Sequence, residues 1–344
     1  MIGGITMKKV LSLALAITLT FSLISCGQTR QNGANGSADS SGATSSQEDG
    51  TLELGGDYIM GTGGTSGTYY PLGGALCQVL NRALGTNITA NATGGALENV
   101  RLISNGEIDF ALAQTDNISY AMSGTVQFDK VTDGFGAICS IYPEILHLVV
   151  RADSDINSIS DLKGKRVSVG DVGSGTESNM PIILGEYGMT YDDIKPNFLS
   201  YKESATAFQD GSIDAFFMLT GVPNTALTEV GITTDVRLVS IDSEKMEQIV
   251  TNYPYFAKAH IDGEYYNLEE GADSIAVKAT FIASTNLSEE FVYQVTKAVF
   301  ENLDEFGEAH ANAKMLTLDS ALEGIDVEHL HPGAVKYYKE VGVL

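Results

Sequence analysis

From residue 57 onward, short apolar runs alternate with stretches whose apolar residues recur at helical spacing. Residues 58–60, 88–92 and 108–113 read as strands, and residues 68–84 and 97–104 as helices. After Arg151 the rhythm returns, with a strand over 166–169 and a helix over 177–187. Between the two sets, residues 136–142 and 144–151 flank Pro143 and read as two separate strands, and residues 274–283 form another apolar run. Helical patterns fill 289–303 and 332–340. This β/α alternation predicts α/β lobes built around mostly parallel sheets. A chain that leaves one lobe near residue 143 and returns near 275 makes a hinge of two crossing segments. The expected division is lobe 1 over 57–143 plus 275–344, and lobe 2 over 144–274.

The two sets echo each other. Ser66-Gly67-Thr68 opens a helix and Asn105-Gly106-Glu107-Ile108-Asp109 precedes a strand. Further on, Ser174-Gly175-Thr176 opens a helix and Asp210-Gly211-Ser212-Ile213-Asp214 precedes a strand. Thr68 to Asp109 is 41 residues and Thr176 to Asp214 is 38. Matching order and near-matching spacing predict two lobes of one architecture; the alternative is chance similarity between two α/β units.

The N-terminal region has a different texture. An apolar segment over 10–24 follows Lys8 and Lys9 and ends in Leu23-Ile24-Ser25-Cys26. A basic start, an apolar stretch of about 15 residues and small residues before a break read as a secretory signal over 1–25, not a membrane span. Leu-Ile-Ser-Cys resembles a bacterial lipobox, in which Cys26 is the lipidated residue; an ordinary signal peptide with an incidental Cys is the alternative. Residues 27–56 are rich in Gly, Ser, Asn, Gln and Thr. Such a stretch cannot bury enough surface to offset its ordering entropy, so 26–56 reads as a lipidated Cys and flexible tether. The expected location is extracytoplasmic, anchored to the cell membrane.

Charge and cysteine usage narrow the partners. The formal net charge of −24 lacks the basic face that nucleic acid requires. It does not exclude a small anionic ligand, because salt screens charges beyond about 10 Å and local dipoles then dominate. Cys77 and Cys139 sit in apolar stretches without metal spacing, and read as buried thiols ahead of a disulfide. The five histidines do not complete a metal set with Cys or carboxylates. No metal and no cofactor is expected.

The candidate chemistry lies in two Gly-rich loops. Thr65, Ser66, Gly67 and Thr68 end the loop that opens at Gly61, and Ser174, Gly175 and Thr176 end the loop that opens at Gly170. Glycine lets a backbone turn tightly and lets a ligand approach closely. Free N–H groups at a helix start, with the helix dipole behind them, favour an anion, and the hydroxyls add donors. Either loop alone is equally well a capped helix start; as a facing pair they read as a binding cleft. Neither is a nucleotide loop, since a P-loop needs Gly-Lys-Ser/Thr, and no Gly-x-Ser-x-Gly elbow occurs. Gln114 and Asn117 follow a strand and are further contact candidates, with an N-cap role for Thr115 or Asp116 as the alternative. Tyr69, Tyr70 and Tyr142 line the cleft or pack in the core. Gly221, in Thr220-Gly221-Val222-Pro223, is a ligand contact or part of a turn with Pro at the first helical position. A non-catalytic binding protein is the reading.

Several segments then identify a resemblance. Residues 63–74 (GGTSGTYYPLGG), 109–114 (DFALAQ), 146–151 (LHLVVR), 161–167 (DLKGKRV), 173–177 (GSGTE), 214–217 (DAFF) and 330–334 (LHPGA) look like signatures of the TAXI-type solute receptors of tripartite ATP-independent (TRAP) transporters. The match covers essentially 57–344, in order. The resemblance implies a bilobal type II periplasmic-binding-protein fold that closes on a small organic anion or amino acid, such as glutamate or 2-oxoglutarate. It also implies a monomer that delivers the solute to a permease with fused small and large membrane subunits. One departure stands out: no Arg occupies a loop position that would salt-bridge a ligand carboxylate. The alternatives are the solute-binding lipoprotein of an ABC importer and a receptor that presents ligand to a membrane sensor kinase.

Overall fold

The computed structural model describes residues 55–344. The expected signal, Cys26 and all of the tether but its last two residues lie outside the described residues. Among the described residues no helix is long and apolar enough to cross a membrane.

The first half runs β1 (Asp57–Gly61), α1 (Tyr69–Leu84), β2 (Asn87–Asn91), α2 (Ala96–Ser104), β3 (Phe110–Gln114) and α3 (Thr115–Ser123), then enters the long strand β4 (Phe135–Arg151). The second half runs β5 (Arg166–Ser168), α4 (Gly175–Glu186), β6 (Lys195–Asn197), α5 (Tyr201–Gln209), β7 (Ala215–Thr220), α6 (Thr225–Thr233), β8 (Val236–Leu238), α7 (Ser243–Asn252) and β9 (Ala257–Ile261). The chain returns through β10 (Ala272–Ser284) and ends with α8 (Glu289–Glu301), α9 (Leu303–Ala309) and α10 (Pro332–Glu340). The expected helix over 289–303 is thus interrupted at Asn302, which has φ −124° and lies outside the helical region.

The ten strands form one sheet of order β2-β1-β3-β10-β4-β7-β5-β6, with β8 on β4 and β9 on β10. β1 pairs in parallel with β2 and β3, and β5 in parallel with β6 and β7. The echo in the sequence is therefore an echo in space. Asp109 Oδ2 accepts from Ile59 N at 2.8 Å and Asp109 N donates to Ile59 O. Asp214 Oδ2 accepts from Arg166 N at 2.8 Å and Asp214 N donates to Arg166 O. Each Asp clamps the first strand of its half to the third. The glycines before them, Gly106 and Gly211, adopt φ of 74° and 72°, a left-handed turn that favours glycine in both places.

Pro143 corrects the sequence reading. Residues 135–151 are one continuous strand, not two, and Pro143 stands opposite Lys278 on β10. β7 pairs with β4 only from Ile145 onward, so Pro143 has a single strand neighbour. Its missing N–H is tolerated at such an edge-like point, next to the register shift at Ala279/Thr280. The hinge segments are accordingly two neighbouring antiparallel strands that serve both halves. Pro223 is likewise not at a first helical position: Asn224 caps α6, its Oδ1 accepting from Ala226 N and Leu227 N.

The apolar core changes hands at the same place. One cluster combines residues from Met60 to Tyr142 with residues from Ala279 to Tyr338. Two others take residues between Ile145 and Val277. The split between those two follows strand alternation. Leu146, Leu148 and Val150 of β4 join Ala215, Phe217 and Leu219 on one face. Ile145 and Val149 join Phe216 and Met218 on the other. This is the bilobal α/β arrangement that the resemblance implies. His147, fully buried between these layers, bonds Ile145 O and Tyr266 Oη, and burial pushes its pKa down to about 4. It is a neutral packing residue. Cys77 and Cys139 are buried free thiols, each pushed up to about 12 by burial.

Candidate functional site

Four helix N-termini meet at one cavity of about 70 Å³ between the halves. Thr68 and Tyr69 bring the start of α1, and Gly95 and Ala96 the start of α2. Ser174 and Gly175 bring the start of α4, and Ser200 and Tyr201 the start of α5. Each follows a strand of the parallel set, so the strand ends aim all four at the same space, as expected for open α/β sheets. No side chain caps α1 or α2. Ser174 Oγ and Ser200 Oγ cap α4 and α5 by accepting from Glu177 N and Glu203 N. The remaining first-turn N–H groups and the dipoles behind them favour a negative group.

Of the residues expected from sequence, Ser66, Gly67, Thr68, Tyr69, Gln114, Ser174 and Gly175 line the cavity. The others do not. Thr65 is exposed on the loop. Thr176 Oγ1 is engaged with Tyr201 Oη at 2.8 Å and Leu219 N at 3.0 Å, which pins α4 to β7. Asn117 lies behind Gln114, its Nδ2 donating to Gln114 Oε1 at 3.3 Å. Tyr142 stands behind Glu144, its hydroxyl donating to Glu144 Oε1 at 3.0 Å. Gly221 allows a close approach, since a Cβ there would meet Asn312 Nδ2 at 2.2 Å. Thr115 and Asp116 begin α3 and neither caps it. Tyr70 faces away, onto a shallow groove of α1.

Sequence reasoning missed Gly94–Ala96, Glu144, Ser200 and Tyr201. The signals were present. Ser200-Tyr201 is the second-half counterpart of Gly95-Ala96, which the internal echo would have located. Glu144 is the lone carboxylate among the seventeen residues of β4.

The electrostatics of the cavity are acidic. Among the described residues that line it are Glu144 and Asp171, and no Lys, Arg or His. Glu144 is buried; Gln114 Nε2 and Tyr142 Oη donate to it. Burial pushes its pKa up to about 7 against the pull of these donors. Asp116, just behind, is fully buried, and burial likewise raises it to about 7. Its Oδ2 accepts from Asn117 Nδ2 at 2.7 Å and, across the halves, from Asn179 Nδ2 at 2.6 Å; its Oδ1 has no partner. Tyr120 Oη also reaches Asn179 Oδ1, at 2.9 Å. Further bonds across the cleft join Thr68 Oγ1 to Thr220 Oγ1 at 3.1 Å and Glu98 N to Gly173 O at 3.0 Å. The two halves are closed on each other.

Asp116 gives a pH dependence of known sign. Its pKa in the fold lies above the ordinary value of 3.8. The folded chain thus holds a proton that the unfolded chain has already lost, and this contribution to stability declines as pH rises from about 4 through 7. Asp116→Asn cannot ionise. Urea unfolding should show the variant gaining on the wild type across that window; parallel curves would show that the ionisation of Asp116 is not coupled to folding.

A family model described as the NMT1-like family matches residues 60–342. The chain is also 29% identical over 90 residues to a putative aliphatic sulfonates-binding protein of Escherichia coli (strain K12). That match covers 26% of this chain and 28% of the relative, so it spans little more than a quarter of the curated protein. Among solved structures, the alkanesulfonate-binding protein SsuA from Xanthomonas axonopodis pv. citri bound to MOPS is 18% identical, with 81% of this chain and 82% of that chain covered and a TM-score of 0.48. The substrate binding protein of an amino acid ABC transporter is 14% identical, with 76% and 99% covered and a TM-score of 0.45.

Proposed function

The chain belongs to the NMT1-like family, and from that premise we propose that it is an extracytoplasmic solute-binding protein, not an enzyme, which captures a small polar solute by closure of two lobes. The observation that carries this reading is the convergence of four helix N-termini, two from each half, on one cavity. A solute whose negative group takes N–H donors from both halves binds the closed form better than the open one, which is the condition for ligand-driven closure. The lobes in this reading are 57–143 plus 275–344 and 144–274, turning about the shared strands β4 and β10 near Pro143. Lipidation at Cys26 would hold the monomer at the outer face of the membrane.

The partner on the membrane is proposed to be the permease of an ABC importer. The stretch of 29% identity to a putative aliphatic sulfonates-binding protein supports the capture of a small solute on which this reading rests. A second reading, the receptor of a TAXI-type TRAP transporter, is favoured by the ordered segments from GGTSGTYYPLGG to LHPGA. Uptake by cells or vesicles carrying the cognate permease separates the two: ATP dependence supports the first and ion-gradient dependence the second.

A thermal-shift screen of sulfonates, amino acids and organic acids tests the binding reading itself. A bound solute at a hundredfold excess over its Kd should stabilise the fold by about 2.7 kcal/mol. A folded protein stabilised by none of these classes would contradict it.

A further inference from the structure

We propose that the solute carries a protonated nitrogen, an ammonium or amidinium group, and that Glu144 receives it. This rests on the solute-binding reading above and names the class of solute. Glu144 is 3% exposed, on the strand that links the halves, yet it lines the cavity. Its partners, Gln114 and Tyr142, are neutral donors. A buried carboxylate needs a counter-charge or a proton, and among the described residues lining the cavity none is cationic. The nearest other acid, Asp116, adds repulsion rather than relief. Tyr69, whose side chain lines the cavity and whose hydroxyl lies in the Glu144 environment, is a further neutral group at this end.

The cavity thus has two electrostatic ends. The helix N-termini of α1, α2, α4 and α5 suit an oxyanion, and Glu144 with Tyr69 suits a cation. A solute with both charges, arranged to span them, satisfies each end. A simple dianion leaves Glu144 without a counter-charge, and protonation must then neutralise it. The absence of an Arg to meet a carboxylate fits the same arrangement, because the backbone serves the negative end and the side-chain charges that line the cavity, Glu144 and Asp171, are both acidic.

Titration calorimetry with pairs of probes that differ by one ammonium group tests this: taurine against ethanesulfonate, L-glutamate against glutarate, and L-alanine against propanoate. Wherever a pair binds, the ammonium member should bind about 30-fold tighter or more, as for a buried charge pair with one partner removed. Glu144→Gln, which keeps the shape and a hydrogen-bonding amide, should abolish that preference. The wild-type comparison stands even if the variant fails to fold. Equal or tighter binding of the members lacking nitrogen overturns the assignment and leaves the solute-binding reading intact. Persistence of the preference in folded Glu144→Gln overturns the role of Glu144. Failure of every probe to bind folded protein overturns the proposal together with the reading it rests on.

Discussion

Asn99→Ala should destabilise the chain by about 2–5 kcal/mol, because it leaves two buried carbonyls without donors. Asn99 is fully buried on α2. Its Nδ2 donates to Thr62 O at 2.6 Å and to Leu112 O at 2.7 Å, and its Oδ1 accepts from Thr93 Oγ1 at 2.7 Å. One amide therefore joins the end of β1, the middle of β3 and the loop that leads into α2. Gly61 has no side chain at the point where a Cβ would meet Asn99 Oδ1 at 2.7 Å. The second half solves the same problem with less: Ser204, fourth in α5 as Asn99 is fourth in α2, bonds Ser168 Oγ at 2.8 Å. Ser204→Ala removes one hydroxyl of a pair and should cost about 1 kcal/mol. Urea unfolding of both variants checks the ranking. A loss below about 1 kcal/mol for Asn99→Ala would mean that the loop and strand ends repack without the amide.

Local chemistry was legible in the sequence, and long-range closure was not. The Ser-Gly-Thr helix starts, the Gly-x-Ile-Asp turns and the apolar periods of α1 and α10 are set within a few residues of one another. They appear in the structure nearly where the pattern puts them. The equivalence of Asp109 and Asp214 was readable because each acts on a parallel neighbour at fixed chain distance. Pro143 misled because proline normally ends a strand, and only the tertiary fact that β7 begins two residues later makes its place in β4 acceptable. Thr176 looked like a ligand donor, but its hydroxyl is taken by Tyr201 and by Leu219 of β7, partners 25 and 43 residues away. Glu144 was passed over for the converse reason. A single acid in such a strand stands out, but its meaning comes from what it faces across the cleft.

The same cleft makes Gly175 decisive. Gly175→Val should leave the protein folded and weaken solute binding by about 100-fold or more, near 3 kcal/mol, the upper range for overpacking. A Cβ at Gly175 would fall 1.7 Å from Gln114 Oε1 and 2.3 Å from Gln114 Cδ. Gln114 is 2% exposed and tied to Glu144 and Asn117, so swinging its amide aside breaks both bonds. The two residues belong to different halves, so the collision exists only when the halves meet. Relief comes from opening the cleft, which also gives up the Thr68–Thr220 and Asn179–Asp116 bonds. Small-angle scattering with saturating solute should therefore report a larger radius of gyration for the variant than for the wild type. Gln114→Ala in the Gly175→Val background removes the obstructing amide and should restore part of the affinity, whereas Gln114→Ala alone should weaken binding. If the double variant binds no better than Gly175→Val, the loss arises at the helix start itself and not from the contact with Gln114. If Gly175→Val binds as tightly as the wild type, the solute does not require the closed arrangement of α4 against Gln114.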